Sequence, residues 1–208
     1  MSQTAEQPEI KDKIIASGIR VGTVVKTKFM IPFITQSNPE GFYLLDLDLI
    51  LNRIQTAGRF IKKFDMSRVI VCSGSNLSKT SIEKFCEITG AKMMFGRFMP
   101  GTLTNPSLPY YSEPQLVIIS DPQIDIQAIT EATNAGIPII GISNTDNITS
   151  KLDLIIPANN RGRQSIATIY WLLAGEIDPS VKSKYQIEDF ETKTVDTCLL
   201  YTSPSPRD

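Results

Sequence analysis

The 208-residue chain contains no histidine. That absence removes the commonest general base and the commonest metal ligand available near neutral pH. Cysteine is scarce as well: Cys72 and Cys86 fall in segments that read as core strand and helix, and Cys198 stands apart near the C-terminus. Thiols placed this way make neither a disulfide framework nor a zinc-ligand spacing, so no metal and no cofactor is expected. Long apolar runs are missing too, and none reaches the ~18 residues that a membrane helix needs. The opening MSQTAEQPEIKDK lacks the basic start and apolar stretch of a secretory signal, which points to a cytoplasmic protein. A surplus of one charge is also absent. The chain has 21 Lys plus Arg against 22 Asp plus Glu, a net of −1, whereas most proteins that coat nucleic acid are clearly basic.

What is present is the composition of a globular protein, 41% hydrophobic and 21% charged, at a length that favours one core. The charge is unevenly spread. Residues 1–120 carry 14 Lys plus Arg against 10 Asp plus Glu, while residues 121–208 carry 7 against 12. The basic surplus therefore belongs to the first part.

From Gly41 onward, short β-branched runs alternate with helical patterns. The runs are FYLLDL (42–47), VIVCS (69–73), MMF (93–95), LVIIS (116–120), PIIGIS (138–143) and LIIP (154–157). Several are apolar at nearly every position, as expected of parallel strands covered on both faces. Helices are predicted over about 48–64, 77–89, 125–135 and 161–174, the last three stopping at Gly90, Gly136 and Gly175. In the first helix, Ile50, Ile54, Ala57, Ile61 and Phe64 form one buried stripe. Arg59, Lys62 and Lys63 share an exposed side of that helix. Strand and helix alternating this often implies a doubly wound α/β sheet with five or six strands. Residues 1–20 show no sustained period and read as an arm, with Ile10, Ile14 and Ile15 able to form a short docking helix.

In such a sheet, ligands meet the carboxyl ends of the strands. SGSNLSKT (73–80) has Gly74, Lys79 and Thr80 in the style of a phosphate loop, but Ser78 stands where a second glycine belongs and the loop is one residue short. An ordinary Ser-capped turn explains it more simply. Asp121 could hold a metal beside such a loop, yet Asp121-Pro122 is equally a turn, and Asp125, Asp146 and Asp153 occupy cap positions. In PANNRGRQS (157–165), Arg161 and Arg163 are placed in the first turn of a helix, where the dipole and two guanidinium forks favour a bound anion. Asn159 or Asn160 capping a solvated helix start is the plainer alternative. GRFMPGTLTNP (96–106) is a long connection, and a loop of this length is usually functional or disordered. Arg97, Thr102, Thr104 and Asn105 offer donors for phosphate or ribose, with Phe98, Met99 and Leu103 as anchors.

At GRFMPGTLTNP the chain closely resembles the universal small-subunit ribosomal protein of the S-two family, called SA in eukaryotes. The similarity continues in order through GIRVGTVVKTKFMIPFI (18–34), GFYLLDL (41–47), EPQLVIISDPQIDIQAITEA (113–132), GIPIIGISNTDN (136–147), LDLIIPANNRGRQSI (152–166) and YWLLAGEI (170–177). The helical hairpin of bacterial members is missing, so the chain resembles the archaeal and eukaryotic branch, with short termini favouring the archaeal side. The family commonly has DPRADHQ where this chain has DPQIDIQ, so Gln123 and Ile126 replace a basic residue and a histidine. Gly175 stands where an arginine is usual.

The resemblance implies a three-layer, flavodoxin-like sandwich with a mostly parallel five-stranded sheet and an N-terminal arm. The arm is expected at 1–20, the domain at 21–180 and a C-terminal extension at 181–197. CLLYTSPSPRD (198–208) has no counterpart in the family and is similar to a sequencing-library adapter translated in frame, so a non-native tail is expected there. The resemblance further implies no catalytic activity, and assembly near the head–body junction of the small subunit in contact with small-subunit rRNA and neighbouring ribosomal proteins. Neither a membrane nor a small-molecule substrate is expected. From charge and loop position, Lys26, Lys28, Arg59, Lys62, Lys63, Arg97, Arg161 and Arg163 are the expected phosphate contacts. Thr102, Thr104, Asn105, Asn159 and Asn160 are their expected hydrogen-bonding companions. The alternative from another class is a doubly wound phosphate- or nucleotide-binding enzyme using Lys79, Thr80 and Asp121.

Overall fold

A computed structural model describes residues 12–39 and 41–192. The chain enters through a helical turn, α1 (residues 12–16), then an antiparallel ribbon of β1 (Ile34–Ser37) and β2 (Tyr43–Leu45), then α2 (Leu47–Ile61). β3 (Val69–Ser73), α3 (Lys79–Thr89), β4 (Lys92–Phe95), β5 (Leu116–Ile119), α4 (Ile126–Ala135), β6 (Ile139–Ser143), β7 (Leu154–Pro157), α5 (Arg163–Ile177) and α6 (Val181–Lys184) follow.

The five strands from β3 onward form one sheet in the order β4-β3-β5-β6-β7, and every neighbouring pair is parallel. Counted along the chain this is the 2-1-3-4-5 order of flavodoxin-like sheets. Alternation along each strand feeds two cores. Val69 and Val71 point into a large core with α2, α3 and α5, whereas Ile70 and Cys72 point into a smaller one with α4 and Leu103. The three layers are thus unequal, with three long helices on one face and one helix plus a loop on the other. Helices α3 and α4 end on Gly90 and Gly136 at φ 79° and 70°, as their sequence predicts.

Several boundaries differ from the sequence expectation. FYLLDL does not enter the parallel sheet. Its Tyr43–Leu45 part pairs with Ile34–Ser37, and Asp46 turns away to cap α2 by accepting the Asp48 N–H. Helix α2 ends at Ile61, and Phe64 instead meets Phe60 edge to face at 5.0 Å. The start expected for α3 is a 3-10 turn over Asn76–Ser78. Helix α5 begins at Arg163 with Gly162 as its cap, and it runs through Gly175 to Ile177. Gly175 does not terminate it, because its backbone stays helical and does not adopt the left-handed φ found at Gly90 and Gly136; the Lys182 side chain lies against it, 2.5 Å from Cε to an added Cβ. Every residue of α5 from Ser165 to Gly175 is buried. No single stripe describes a helix wedged between α2, α3 and the chain's return.

The segments flanking the sheet are packed. Ile14 and Ile19 join the large core. After α5, Phe190 is fully buried, and Ser81 Oγ donates to its carbonyl at 2.6 Å. Trp171 Nε1 donates to Tyr185 O at 3.0 Å, and Thr192 Oγ donates to Leu77 O at 2.8 Å. Residues 181–192 therefore clasp α3 and α5. Ile10 and the rest of 1–11, residues 193–197, and the tail with Cys198 lie outside the described residues.

Truncating Phe190 to Ala empties this clasp and is expected to destabilise the protein by about 3–5 kcal/mol in denaturant unfolding.

Candidate nucleic-acid interface

Parallel strands all end on one edge, so the segments after Ser73, Phe95, Ile119, Ser143 and Pro157 converge there. The strand order reverses between β3 and β5, the usual position of a ligand crevice. Here protein occupies much of it. Asp125, at the cap of α4, accepts the Gly74 N–H at 2.9 Å. Ile124 approaches so closely that a Cβ on Gly74 would lie 2.6 Å from its Cγ2. A carboxylate beside the β3 loop repels phosphate. The first turn of α3 is also taken: Thr80 N–H donates to Thr192 Oγ at 3.3 Å, and Lys79 lies 4.0 Å from Glu83 and 5.7 Å from the Phe95 ring. The expected alternative of a phosphate loop built on Lys79, Thr80 and Asp121 therefore has no free cradle.

Further along the edge, buried amides close the sheet. Asn147 Oδ1 accepts from Asn144 N at 2.6 Å and from Asn160 Nδ2 at 3.2 Å, while Asn147 Nδ2 donates to Asp121 Oδ1 at 3.3 Å. Burial raises the pKa of Asp121, opposed by the N–H of Gln123, the charge of Arg161 and the Asn147 bond. The N-terminal segment is tied across this network. Thr23 N donates to Thr145 Oγ at 2.9 Å, Thr27 N to Thr145 O at 2.9 Å, and Asn159 Nδ2 to Gly18 O at 3.2 Å. Lys26 and Lys28 are exposed at this end, with Lys26 4.7 Å above the Tyr43 ring.

The 96–112 connection is held from below by one residue that sequence reasoning missed. Glu131 of α4 is buried and accepts from Gly101 N at 2.8 Å, Leu103 N at 3.2 Å and Gln127 Nε2 at 2.8 Å. Burial alone would raise its pKa, yet these bonds and one from Thr104 hold it below the usual value. Leu103 fills the smaller core, and Arg97, Thr104 and Asn105 remain exposed. Thr102 is buried and donates to Met99 O at 2.6 Å, and Asn105 Oδ1 accepts the Ser107 N–H at 3.0 Å. A glutamate at helical spacing gives no hint of this role, because most such residues face water.

Arg161 precedes α5 instead of lying in its first turn, and it pairs with Asp146 at 2.5 Å and Gln123 at 2.9 Å. Asp146 thus offsets the cationic crowding that the sequence predicts at this helix start. Arg163 begins the helix. Asn159 Oδ1 accepts the Arg161 N–H at 3.0 Å, and Asn160 is buried with its amide donating to Ile142 O at 3.4 Å. Arg59, Lys62 and Lys63 are exposed at the C-terminal end of α2, which leads into the amino ends of the strands. The 15-residue helix places them roughly 20 Å from the carboxyl edge. Asp153 is also at the opposite edge, accepting the Ile139 N–H at 2.8 Å.

Burial pushes up the thiols of Cys72 and Cys86, the latter to about 12, so neither is a ready nucleophile. Among the described residues, no group of three or more His, Cys, Asp or Glu side chains could hold a metal ion. No helix among them is long and apolar enough to cross a membrane.

These features define a doubly wound α/β scaffold whose carboxyl edge is sealed by its own amides and rimmed with cations. A sequence profile of the Ribosomal protein S2 family matches residues 109–178. The small ribosomal subunit protein uS2 of Nitrosopumilus maritimus is 63% identical over 200 residues, 93% of this chain and 97% of that protein. Those of Cenarchaeum symbiosum and Thermofilum pendens are 54% and 43% identical, covering 89% and 88% of this chain and 93% and 89% of their own lengths. The chain belongs to the small ribosomal subunit protein uS2 family and is of its archaeal type.

Two outcomes are expected. Glu131→Ala should increase amide hydrogen exchange at Gly101 and Leu103 by about tenfold or more while leaving β5 and β6 protected, since it removes the acceptor of both N–H groups. The second concerns Asp125, whose pKa burial raises from 3.8 to about 6. The folded state then holds this proton more tightly than the unfolded chain, so the stability it contributes is present at low pH and lost as pH rises from about 4 to about 6. Asp125→Asn escapes that loss. It should be more stable than the parent by about 1–2 kcal/mol at pH 8, with the gap closing near pH 4 in denaturant titrations.

Proposed function

We propose that this chain is a structural, non-catalytic constituent of the small ribosomal subunit, seated near the head–body junction in the cytoplasmic particle. It binds small-subunit rRNA along the rim of its carboxyl edge and meets neighbouring ribosomal proteins over other surfaces. The observation that carries the proposal is the exposure of Lys26, Lys28 and Arg97 on segments that buried bonds hold in place. Preset cations bind polyanions without the ordering cost of flexible ones. Half-exposed Arg161, together with Arg163, extends the rim from the start of α5.

Roles divide by burial. Arg97, Arg161, Arg163, Lys26 and Lys28 are assigned to phosphates, with Thr104 and Asn105 as exposed hydrogen-bonding groups. Thr102, Asn159 and Asn160 are spent mainly on internal bonds and act by positioning their loops. Arg59, Lys62 and Lys63 form a second, separate contact at the other edge. Each phosphate contact adds to a salt dependence, and a handful of contacts fits a protein of near-zero net charge that binds RNA over limited areas.

Mass spectrometry of purified small subunits from the source cells tests the role, with one copy per subunit expected and absence refuting it. Reversing Lys26, Lys28 and Arg97 together to Glu is expected to lower incorporation about tenfold or more against the parent chain in competition. Full incorporation of that variant would remove the rim assignment.

A further inference from the structure

The seal along the carboxyl edge leaves an opening between β3, β4 and the start of α4. Two adjoining cavities of about 280 and 410 Å³ share Gly96, Arg97, Phe98 and Asp125 as lining, and Gln127 and Gly74 line the larger. Asp125 is 3% exposed, and only one of its oxygens is used: Oδ1 accepts from Gly74, whereas Oδ2 has no hydrogen-bond partner. A buried carboxylate oxygen without a donor is costly, and such groups call for a partner. Around it stand an exposed guanidinium, an aromatic ring and the Gln127 amide.

We infer that this opening receives one unpaired RNA nucleotide, with Asp125 Oδ2 accepting from the exocyclic amino group of its base, Phe98 packing on the base and Arg97 meeting the phosphate. The chemistry chooses a base over other ligands. A phosphate is repelled by the carboxylate, and a metal ion would find a single carboxylate with no second acidic ligand among the lining residues. Adenine, cytosine and guanine each carry an amino donor. Uracil offers only an imino N–H flanked by two carbonyl oxygens, which repel a carboxylate. Recognition of the amino edge by an aspartate and of the base plane by an aromatic ring follows the common pattern of single-stranded RNA readers. The inference rests on the rRNA-binding proposal for the source of its ligand, and the geometry of the opening is independent of it.

The test uses the full chain and fluorescently labelled oligo(C), oligo(A) and oligo(U) of about six nucleotides, followed by anisotropy at one fixed salt concentration. Oligo(C) and oligo(A) are expected to bind about tenfold more tightly than oligo(U). Oligo(C) methylated twice on each N4, which has no amino proton, is expected to fall to the oligo(U) level. In Asp125→Asn the amide nitrogen replaces the free acceptor with a donor, so the preference for oligo(C) over oligo(U) should disappear or invert. Arg97→Ala should instead weaken all the oligomers by a similar factor. Equal binding of oligo(C) and oligo(U) by the parent chain overturns the inference, as does no binding at all, or a uniform loss in Asp125→Asn. A chain that enters small subunits yet shows no base preference refutes the opening's role and leaves the ribosomal proposal standing. A base preference in a chain absent from subunits does the reverse.

Discussion

Five parallel strands must all end on the same edge of the sheet, and the rest of this structure answers that constraint. Strand ends and helix starts gathered in one place expose backbone groups that need partners. The chain supplies them from short polar side chains. Asn147 bridges Asn144, Asn160 and Asp121, and Ser120 shares a 2.6 Å bond with the buried Tyr170 hydroxyl. Thr145 then ties in the segment that carries Lys26 and Lys28. Each bond of this kind, formed away from water, helps to fix the loop that carries it. The edge that enzymes of similar architecture keep open as a crevice is here largely a built wall.

Closure determines what kind of ligand the edge can meet. A wall presents a broad rim to a macromolecule, in keeping with cations spread over the segments after β4 and β7 and across the N-terminal strap. Glu131 serves the same end from inside: by holding Gly101 and Leu103 it fixes the loop on which Arg97, Thr104 and Asn105 stand. Charge is also placed with economy. Asp146 tempers Arg161, so the start of α5 carries less net positive charge than its two arginines suggest. The Arg59, Lys62 and Lys63 group serves a second purpose as the cationic complement of the α2 dipole.

The sheet was legible because most of its strands are apolar at successive positions, as strands covered on both faces are, and because Gly90 and Gly136 mark helix ends. Five of the six runs entered the sheet. FYLLDL did not, since a three-residue ribbon strand and a buried strand look alike over so short a span. Gly175 misled because a glycine reads locally as a helix stop, whereas it stops a helix only where the backbone turns left-handed, and at Gly175 the helix continues. At the site, exposed cations could be found from residue type, but pairing could not. Asp146 lies fifteen residues before Arg161, and Glu131 about thirty after the loop it holds. Such contacts exist only once the fold has brought distant segments together. The burial of Asn160 and Thr102 was hidden for the same reason, because polar residues in loops ordinarily face water.

In the proposed role, the sealed carboxyl edge is the side turned toward RNA. Photocrosslinking within intact small subunits, with crosslinked peptides identified by mass spectrometry, tests it directly. Adducts to rRNA are expected to concentrate in residues 24–28, 96–106 and 159–163, with a separate, smaller group at 59–63. Adducts confined to the outer surfaces of α3 and α6, with those three segments unmodified, would contradict it.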